Sequence, residues 1–157
     1  MIQLKKIDQT NYKNCVQLET TEEQNDYISP NWYSLLEANY EERKIPLAIY
    51  EKNEMVGFVM FGYYEADEMY PIPSWWLRIM IDYRFQQQGL GGEAMFESIN
   101  WFEKNISADE LRLSVAKTND VALKLYNKFG FIRSNENIDK ETVLVKSWRK
   151  STFSKME

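Results

Sequence analysis

The residues best suited to chemistry in this sequence form a glycine-rich turn after an apolar segment. Trp75–Ile81 is typical of a buried strand that is interrupted only by Arg78, and Gln86–Gly92 follows as QQQGLGG. A helical spacing then begins, with apolar residues at Leu90, Ala94, Met95, Ile99 and Phe102. Helix starts present unpaired amide N–H groups and a positive dipole end, and glycine lets a ligand approach the backbone closely. The pattern therefore predicts a phosphate-binding turn between a strand and a helix.

Two common phosphate-binding sequences are absent from this turn. No Gly-Lys-Ser/Thr follows it, which excludes a P-loop, and no complete Gly-x-Gly-x-x-Gly is present, which excludes the usual dinucleotide fingerprint. Taken alone, the turn could also be a glycine-rich β–α connection that binds nothing.

Two motifs resemble those of one enzyme superfamily. The spacing of Gln86, Gly89 and Gly91 resembles motif A of the GNAT superfamily of N-acetyltransferases, which cradles the pyrophosphate of acetyl-CoA. Further along, residues 119–131 (NDVALKLYNKFGF) resemble that superfamily's Asn-x-x-Ala-x-x-Leu-Tyr-x-x-x-Gly-Phe signature. Segments 22–35, 46–50 and 55–62, together with Arg78-x-Met80-Ile81-Asp82, are similar to bacterial spermine/spermidine (diamine) acetyltransferases.

The resemblance implies residues that hold acetyl-CoA. By position, the central strand would pair with the pantetheine arm, the turn would bind the pyrophosphate, and the later helix would flank the arm and face the adenosine phosphates. These candidate residues are Ile79, Met80, Ile81, Gln86, Gln87, Gln88, Gly89, Leu90, Gly91, Gly92, Asn119, Leu123, Lys124 and Lys128.

The resemblance also assigns Tyr126 as the general acid that protonates the departing sulfur. The alternative is that Tyr126 is a core residue, since it lies on the apolar stripe of its helix. Relatives often carry a carboxylate on the central strand, and Leu77 occupies that position here. Either a chain of water molecules that ends on Glu19, Glu22 or Asp82 deprotonates the amine, or the acceptor is less basic than an alkylamine.

Acidic and aromatic residues of the first helices are expected to line the acceptor channel, because carboxylates and aromatic faces suit a polyamine. The candidates are Glu19, Glu22, Glu23, Tyr27, Trp32 and Tyr33, with Asp26, Glu37 and Glu41 in the same region. These carboxylates could equally be the solvated faces of surface helices. Arg78 is expected to pair with an acidic neighbour inside its apolar strand.

The function implied is transfer of the acetyl group of acetyl-CoA to a primary amine, a polyamine or diamine such as spermidine or spermine. Two alternatives remain open at this point. One is a non-catalytic GNAT-like domain that binds CoA or a regulatory metabolite, and the other is a protein or peptide N-acetyltransferase.

The predicted strands and helices alternate along the chain and place these residues. Strands are expected at residues 2–7, 47–50, 55–63, 75–81, 111–115, 131–133 and 142–146, with turns at 52–54 and 135–140 and a loop at 65–73. Helices are expected at residues 10–24, 32–40, 90–102 and 122–129. This order predicts an α/β (α+β) fold with a mixed, mostly antiparallel sheet flanked by helices. It resembles the GNAT acyl-CoA N-acyltransferase fold, with one domain at residues 1–147 and a polar tail at 148–157.

Composition restricts the chemistry further. The 157 residues include no histidine, which excludes Ser–His and Cys–His catalysis and disfavours a metal site. Cys15, the single cysteine, suits a reducing cytoplasm and a place in the core. The net charge of −5 disfavours nucleic acid and favours a cationic partner, and no apolar run is long enough for a membrane span. Relatives often form homodimers or higher homo-oligomers, so an assembly of that kind is expected.

Overall fold

The computed structural model describes residues 1–21, 29–138 and 140–148. The strands are β1 (Ile2–Lys6), β2 (Lys44–Glu51), β3 (Glu54–Tyr64), β4 (Ser74–Ile81), β5 (Glu110–Ala116), β6 (Ile132–Ile138) and β7 (Glu141–Ser147). The helices are α1 (Tyr12–Gln17), α2 (Asn31–Tyr40), α3 (Leu90–Asn105) and α4 (Asp120–Lys128), with a 3-10 turn at Tyr83–Phe85.

These strands form a seven-stranded sheet in the order β1-β2-β3-β4-β5-β7-β6. The pairs β1/β2, β2/β3, β5/β7 and β6/β7 are antiparallel, whereas β4 and β5 are parallel, with Trp76 opposite Arg112. The predicted element order and the mixed α/β class are therefore confirmed. No helix in the described ranges is long and apolar enough to cross a membrane.

The chain folds as two compact units. The first combines Met1–Tyr63 with Leu77–Asn105, and the second combines Tyr64–Trp76 with the chain from Ile106 onward. The predicted division into a domain at residues 1–147 and a tail at 148–157 stays a prediction.

The core of the first unit explains why β3 is apolar along nearly its whole length. On one face of the strand, Phe58 and Met60 pack with the buried Cys15 and Met80. On the opposite face, the ring of Phe61 stacks on that of Trp101 of α3, with centroids 5.4 Å apart, and lies near the ring of Phe102, with centroids 5.2 Å apart. Because alternate residues of a strand point to opposite faces, helices that cover both faces require apolar side chains at successive positions.

The second unit encloses a buried charge among apolar strand residues. Arg112 of β5 is 6% exposed, and its guanidinium reaches Glu136 at 3.1 Å and Glu110 at 3.0 Å. Tyr64, Trp76 and Val143 form an apolar cluster in the same unit. Pairing with two carboxylates compensates the desolvation of the guanidinium.

The first helix ends earlier than its sequence predicts. The predicted helix at residues 10–24 extends only from Tyr12 to Gln17, and Leu18 is extended at φ −66° and ψ 137°. At Glu19 the backbone bonds to distant residues instead of continuing the helix. Its N–H donates to the Asp82 carboxylate, and its carbonyl accepts from the N–H of Tyr83. Residues 22–28 lie outside the described residues.

The side chains of α1 differ widely in exposure. Tyr12 and Val16 are 43% and 41% exposed, whereas Cys15 is fully buried. Burial raises the pKa of the Cys15 thiol to about 12. The expectation that Cys15 is a core residue is confirmed.

The last hairpin is longer than expected, since β6 continues through the segment 135–138 that was predicted as a turn. Side-chain hydrogen bonds support this polar strand where its register with β7 shifts between Arg133 and Asn137. Ser134 Oγ donates to the carbonyl of Val143 and accepts from the N–H of Glu136. At the end of the described chain, the N–H of Trp148 donates to the carbonyl of Asp109, so this first residue of the predicted tail is held in place.

Candidate active site

The turn after β4 is shaped by hydrogen bonds to its two ends. The Asp82 carboxylate accepts from the N–H of Arg84 at 3.0 Å and thereby caps the 3-10 turn. Four residues later, the side-chain amide of Gln86 donates to the carbonyl of Ile81 at 2.9 Å. These bonds direct the chain from the strand end into the glycine-rich segment that begins α3.

Six consecutive amides in this segment lack an acceptor among the residues that the structure describes. None of the N–H groups of residues 87–92 donates a hydrogen bond to any described residue, and the first to do so is that of Glu93, to the carbonyl of Gly89 at 3.4 Å. Gln87 and Gly89 have positive φ angles of 63° and 79°, which turn the chain sharply before the helix. Unpaired amides at a helix start form an anion-binding site.

The space beside the glycines of this turn is open. A Cβ built on Gly89, Gly91 or Gly92 would meet no heavy atom within 4 Å. A diphosphate can therefore approach the free amides without displacing a side chain. Unpaired amides beside open space are the features that an anion-binding turn requires.

The end of β4 is held close to β3. A Cβ on Gly57 would collide with the carbonyl oxygen of Met80 and come within 2.9 Å of the Cδ1 of Ile81. The N–H of Asp82 donates to the carbonyl of Val56 at 2.8 Å. This close packing fixes the backbone of the segment that the sequence predicts to hold the thioester.

A cleft of about 390 Å³ lies beside this strand end within the first unit. Its lining includes two predicted acceptor residues, Glu19 and Trp32, as well as Met80 from β4. Tyr33 does not line this cleft and instead contacts the edge of Trp32, with ring centroids 6.0 Å apart. The predicted acceptor residues Glu22, Glu23 and Tyr27, and also Asp26, lie outside the described residues.

The remaining acidic residues have other partners. Glu37 pairs with Arg78 at 2.9 Å, which confirms that this arginine binds an acidic neighbour. Glu41 lies 3.5 Å from Lys44. Neither glutamate lines the cleft.

Asp82 is unsuited to act as the base. Burial by itself would raise the pKa of this carboxyl, but hydrogen bonds from the Arg84 side chain and from the N–H groups of Glu19 and Arg84 outweigh it and lower the pKa. The side chain is 1% exposed, and both of its oxygens already accept hydrogen bonds. Leu77, at the strand position where the resemblance led us to expect a carboxylate, is 5% exposed.

The second unit carries the other predicted residues on and before α4. Asn119 caps this helix, since its Oδ1 accepts from the N–H of Ala122 at 3.1 Å. Lys124 and Lys128 are exposed, and Leu123 is half-buried.

Tyr126 packs on the inner side of α4, with its ring edge toward Phe131 at 6.2 Å. Burial, together with the negative charge of Glu141, raises the pKa of Tyr126 to about 12. Its hydroxyl makes no hydrogen bond to any residue that the structure describes. The side chain therefore keeps its proton across the physiological pH range and has it available for a ligand.

Sequence reasoning did not identify Asn31, which lines the cleft and is 7% exposed. A polar residue after proline at a helix start ordinarily indicates a cap, so the pattern gave no signal of burial. The capping role of Asp82 could have been suspected from the sequence, because an aspartate at the start of a turn often accepts a hydrogen bond from the backbone N–H two residues later. No cluster of three or more metal-ligating side chains occurs among residues 1–21, 29–138 and 140–148.

The sequence is similar to a known protein family and to individual proteins of known activity. The model of the Acetyltransferase (GNAT) family matches residues 4–131. The chain is 30% identical over 148 residues to the spermine/spermidine N(1)-acetyltransferase of Bacillus subtilis (strain 168), covering 92% of this chain and 97% of that protein.

Two solved structures show the same fold at low sequence identity. A chimera of the spermidine N-acetyltransferase from Vibrio cholerae has a TM-score of 0.69 at 16% identity, covering 93% of this chain and 94% of that one. AAC(6')-Ib in complex with paromomycin and acetyl-CoA has a TM-score of 0.78 at 10% identity, covering 94% and 93%.

Proposed function

The chain belongs to the GNAT family of acetyltransferases, and from that premise we propose that it acetylates a primary amine of a polyamine or diamine such as spermidine or spermine. The observation that carries the proposal is the row of six amides at residues 87–92, which have no acceptor within the described part of the chain and lie beside open space in the connection between β4 and α3. Similarity to a spermine/spermidine acetyltransferase over 92% of the chain supports the acceptor class.

In the proposed reaction, acetyl-CoA supplies a thioester as the acetyl donor. The amine nitrogen bonds to the thioester carbonyl carbon, the carbon–sulfur bond breaks, the nitrogen loses one proton and the thiolate gains one. The amides of residues 87–92 bind the pyrophosphate. Gln86 stabilises the turn through the hydrogen bond from its side-chain amide to the carbonyl of Ile81. Backbone groups of Ile79, Met80 and Ile81 hold the pantetheine arm and polarise the carbonyl.

In the second unit, the residues proposed to contact acetyl-CoA are Asn119, Leu123, Lys124 and Lys128. Asn119 is already engaged in capping α4, so its side chain contributes through the position it gives to the helix. The two exposed lysines supply positive charge for phosphate groups.

Tyr126 is proposed as the proton donor to the leaving sulfur. With a pKa of about 12 it is protonated at neutral pH. An ordinary thiol has a pKa of ~8.5, so complete proton transfer from such a phenol is unfavourable. The hydroxyl is therefore expected to stabilise the developing thiolate by donating a hydrogen bond, and full transfer requires the tyrosine pKa to fall when the substrate is bound.

Deprotonation of the amine needs a route that avoids Leu77 and Asp82. An alkylammonium has a pKa of ~10 and is almost entirely protonated at pH 7. Glu19 is exposed at the cleft, so water between the amine and this carboxylate is the proposed route for the proton.

The decisive experiment measures thiol release from acetyl-CoA with spermidine, spermine, short diamines and peptides, alongside calorimetric binding of CoA. We expect release with polyamines or diamines and a Kd for CoA that weakens in variants of residues 87–92. Release with peptides alone would transfer the proposal to protein acetylation. Tight CoA binding without release for any acceptor would refute amine acetylation.

A further inference from the structure

Resting on the proposed function, we propose that Asn31 binds the reacting nitrogen of the acceptor and that Glu19 binds its second ammonium group. Both residues line the cleft beside Met80, and all three belong to the first unit. The assignment gives the two ends of a diamine different partners.

The orientation of the Asn31 amide is fixed by its nitrogen. Nδ2 donates to the carbonyl of Cys15 at 2.9 Å and lies 3.8 Å from Sδ of Met80. The two amide hydrogens thus have two acceptors. A flipped amide would place Oδ1 against the Cys15 carbonyl oxygen, which is repulsive, so the oxygen is held in the opposite position.

The Asn31 oxygen has no donor in the described chain, although the residue is more than nine-tenths buried. It is not sealed inside the core either, since Ser98 Oγ is the only fully enclosed side-chain polar atom without a partner among the described residues. A buried acceptor that has no hydrogen-bond partner and faces a cleft favours a ligand with an N–H group. Because the same amide contacts Met80, a nitrogen bound there lies beside the predicted thioester strand.

The cleft also has a charged residue, Glu19, in addition to the neutral Asn31. Glu19 is exposed, but its backbone is held on both sides, by the Asp82 carboxylate at 2.9 Å and by the N–H of Tyr83 at 2.8 Å. Trp32, 52% exposed, adds an aromatic face for the methylene chain between two nitrogens.

This division of charge selects the end that reacts. A carboxylate favours the charged form of a neighbouring amine, whereas a neutral amide oxygen in a buried place does so far less. The nitrogen at Asn31 can therefore lose its proton and attack, while the nitrogen at Glu19 stays an ammonium and anchors the molecule.

The test uses an α,ω-diamine and a monoalkylamine of equal chain length, each with Asn31→Leu, Glu19→Gln and Ser34→Ala. Ser34 is the matched control, because it is a buried polar residue of α2 that bonds Arg78 at 3.0 Å and does not line the cleft. We expect Asn31→Leu to lower kcat/KM about tenfold or more for both amines, with the Kd of CoA unchanged. Glu19→Gln should lower kcat/KM for both amines, because this carboxylate also accepts the proton through water, and by about tenfold more for the diamine, which alone has a second ammonium group for it to bind. Ser34→Ala should leave both constants unchanged.

Each contrary result has its own meaning. If wild-type protein acetylates amines and Asn31→Leu matches it, the assignment of Asn31 is overturned while the proposed function stands. An equal loss of CoA affinity in Asn31→Leu would show a merely structural role and overturn it as well. If wild-type protein neither acetylates nor binds any amine by calorimetry, the proposed function itself fails.

Discussion

The carboxylate of Asp82 accepts a hydrogen bond from the backbone N–H of Glu19, with 2.9 Å between Oδ2 and the nitrogen. The other oxygen of the same carboxylate binds the N–H and Nε of Arg84. One buried side chain thus connects the segment at the acceptor cleft to the turn that precedes the free amides. A change on either side can reach the other through this carboxylate.

Asp82→Asn is expected to destabilise the protein and to weaken the binding of both CoA and the amine. Hydrogen bonds to charged groups contribute about 1.5–3 kcal/mol, so the free energy of unfolding should fall by an amount of that order. The Kd of CoA and the KM of the amine should rise together, since both sides of the carboxylate lose their support. Urea unfolding, calorimetry and initial rates measure the three effects, and a rise in only one of the two ligand constants would contradict the connection.

The same carboxylate predicts an acid dependence. Its pKa is lowered in the folded protein from 3.8, so the folded state binds fewer protons and the stabilisation is present above that pH. It is lost as the pH falls below 3.8 toward the folded value. Unfolding free energies of wild type and Asp82→Asn should therefore converge in this acidic range, and a constant difference between them would refute the assignment.

Gly91→Ala separates folding from ligand binding at the glycine-rich turn. The position lies in the first turn of α3, and a Cβ there meets nothing within 4 Å, so the protein should gain roughly 0.5–1 kcal/mol from helix propensity. The same methyl group occupies the proposed pyrophosphate space, and the Kd of CoA should rise about tenfold or more. Glu97→Ala, further along α3, is the control and should leave CoA binding unchanged. A stable Gly91→Ala with wild-type affinity would place the phosphate elsewhere.

Tyr126→Phe tests the proton donor without altering the ring. General acids contribute about 10²–10⁴-fold to rates, so kcat should fall at least tenfold while the Kd of CoA stays the same. Because the pKa of Tyr126 is about 12, a fall in kcat/KM between pH 8 and 10 should not come from this residue and should persist in the variant. Unchanged turnover would remove Tyr126 from the mechanism.

Cys15 predicts a loss of stability in alkali. Burial raises the pKa of its thiol from 9.0 to about 12, so the folded state holds a proton that the unfolded chain releases above pH 9. The free energy of unfolding should decline by roughly 4 kcal/mol between pH 9 and 12 from this group. Tyr126 adds a smaller decline of roughly 2.7 kcal/mol above pH 10, since its pKa is raised from 10.0 to about 12.

The alkaline slope, rather than the absolute stability, distinguishes these two groups. Cys15→Ala should reduce the slope from pH 9 upward, and Tyr126→Phe should reduce it only above pH 10. Urea titrations at several pH values measure both slopes. Equal slopes in wild type and Cys15→Ala would show that the thiol titrates normally.

Several features of the protein arise from short-range patterns and can be predicted without knowledge of the fold. The apolar run of β4, the glycines before α3 and the 3.6-residue stripe of that helix each specify their conformation within a few residues. The element order followed from them, whereas the family was indicated by the resemblance of Gln86-x-x-Gly89-x-Gly91 and residues 119–131 to GNAT motifs. The pairing of Arg78 was expected because a charge in an apolar strand needs a partner.

Tertiary structure decided the features that rest on partners far along the chain. The end of α1 depends on Glu19 bonding to Asp82, 63 positions away, and the sequence around α1 carries no sign of that acceptor. The continuation of β6 depends on Ser134 and Glu136 finding their partners in β7 and β5. The free oxygen of Asn31 likewise exists only because Cys15 and Met80 engage its nitrogen. Hydrogen bonds between distant residues can override local propensity because a buried polar group without a partner costs more than a shortened helix.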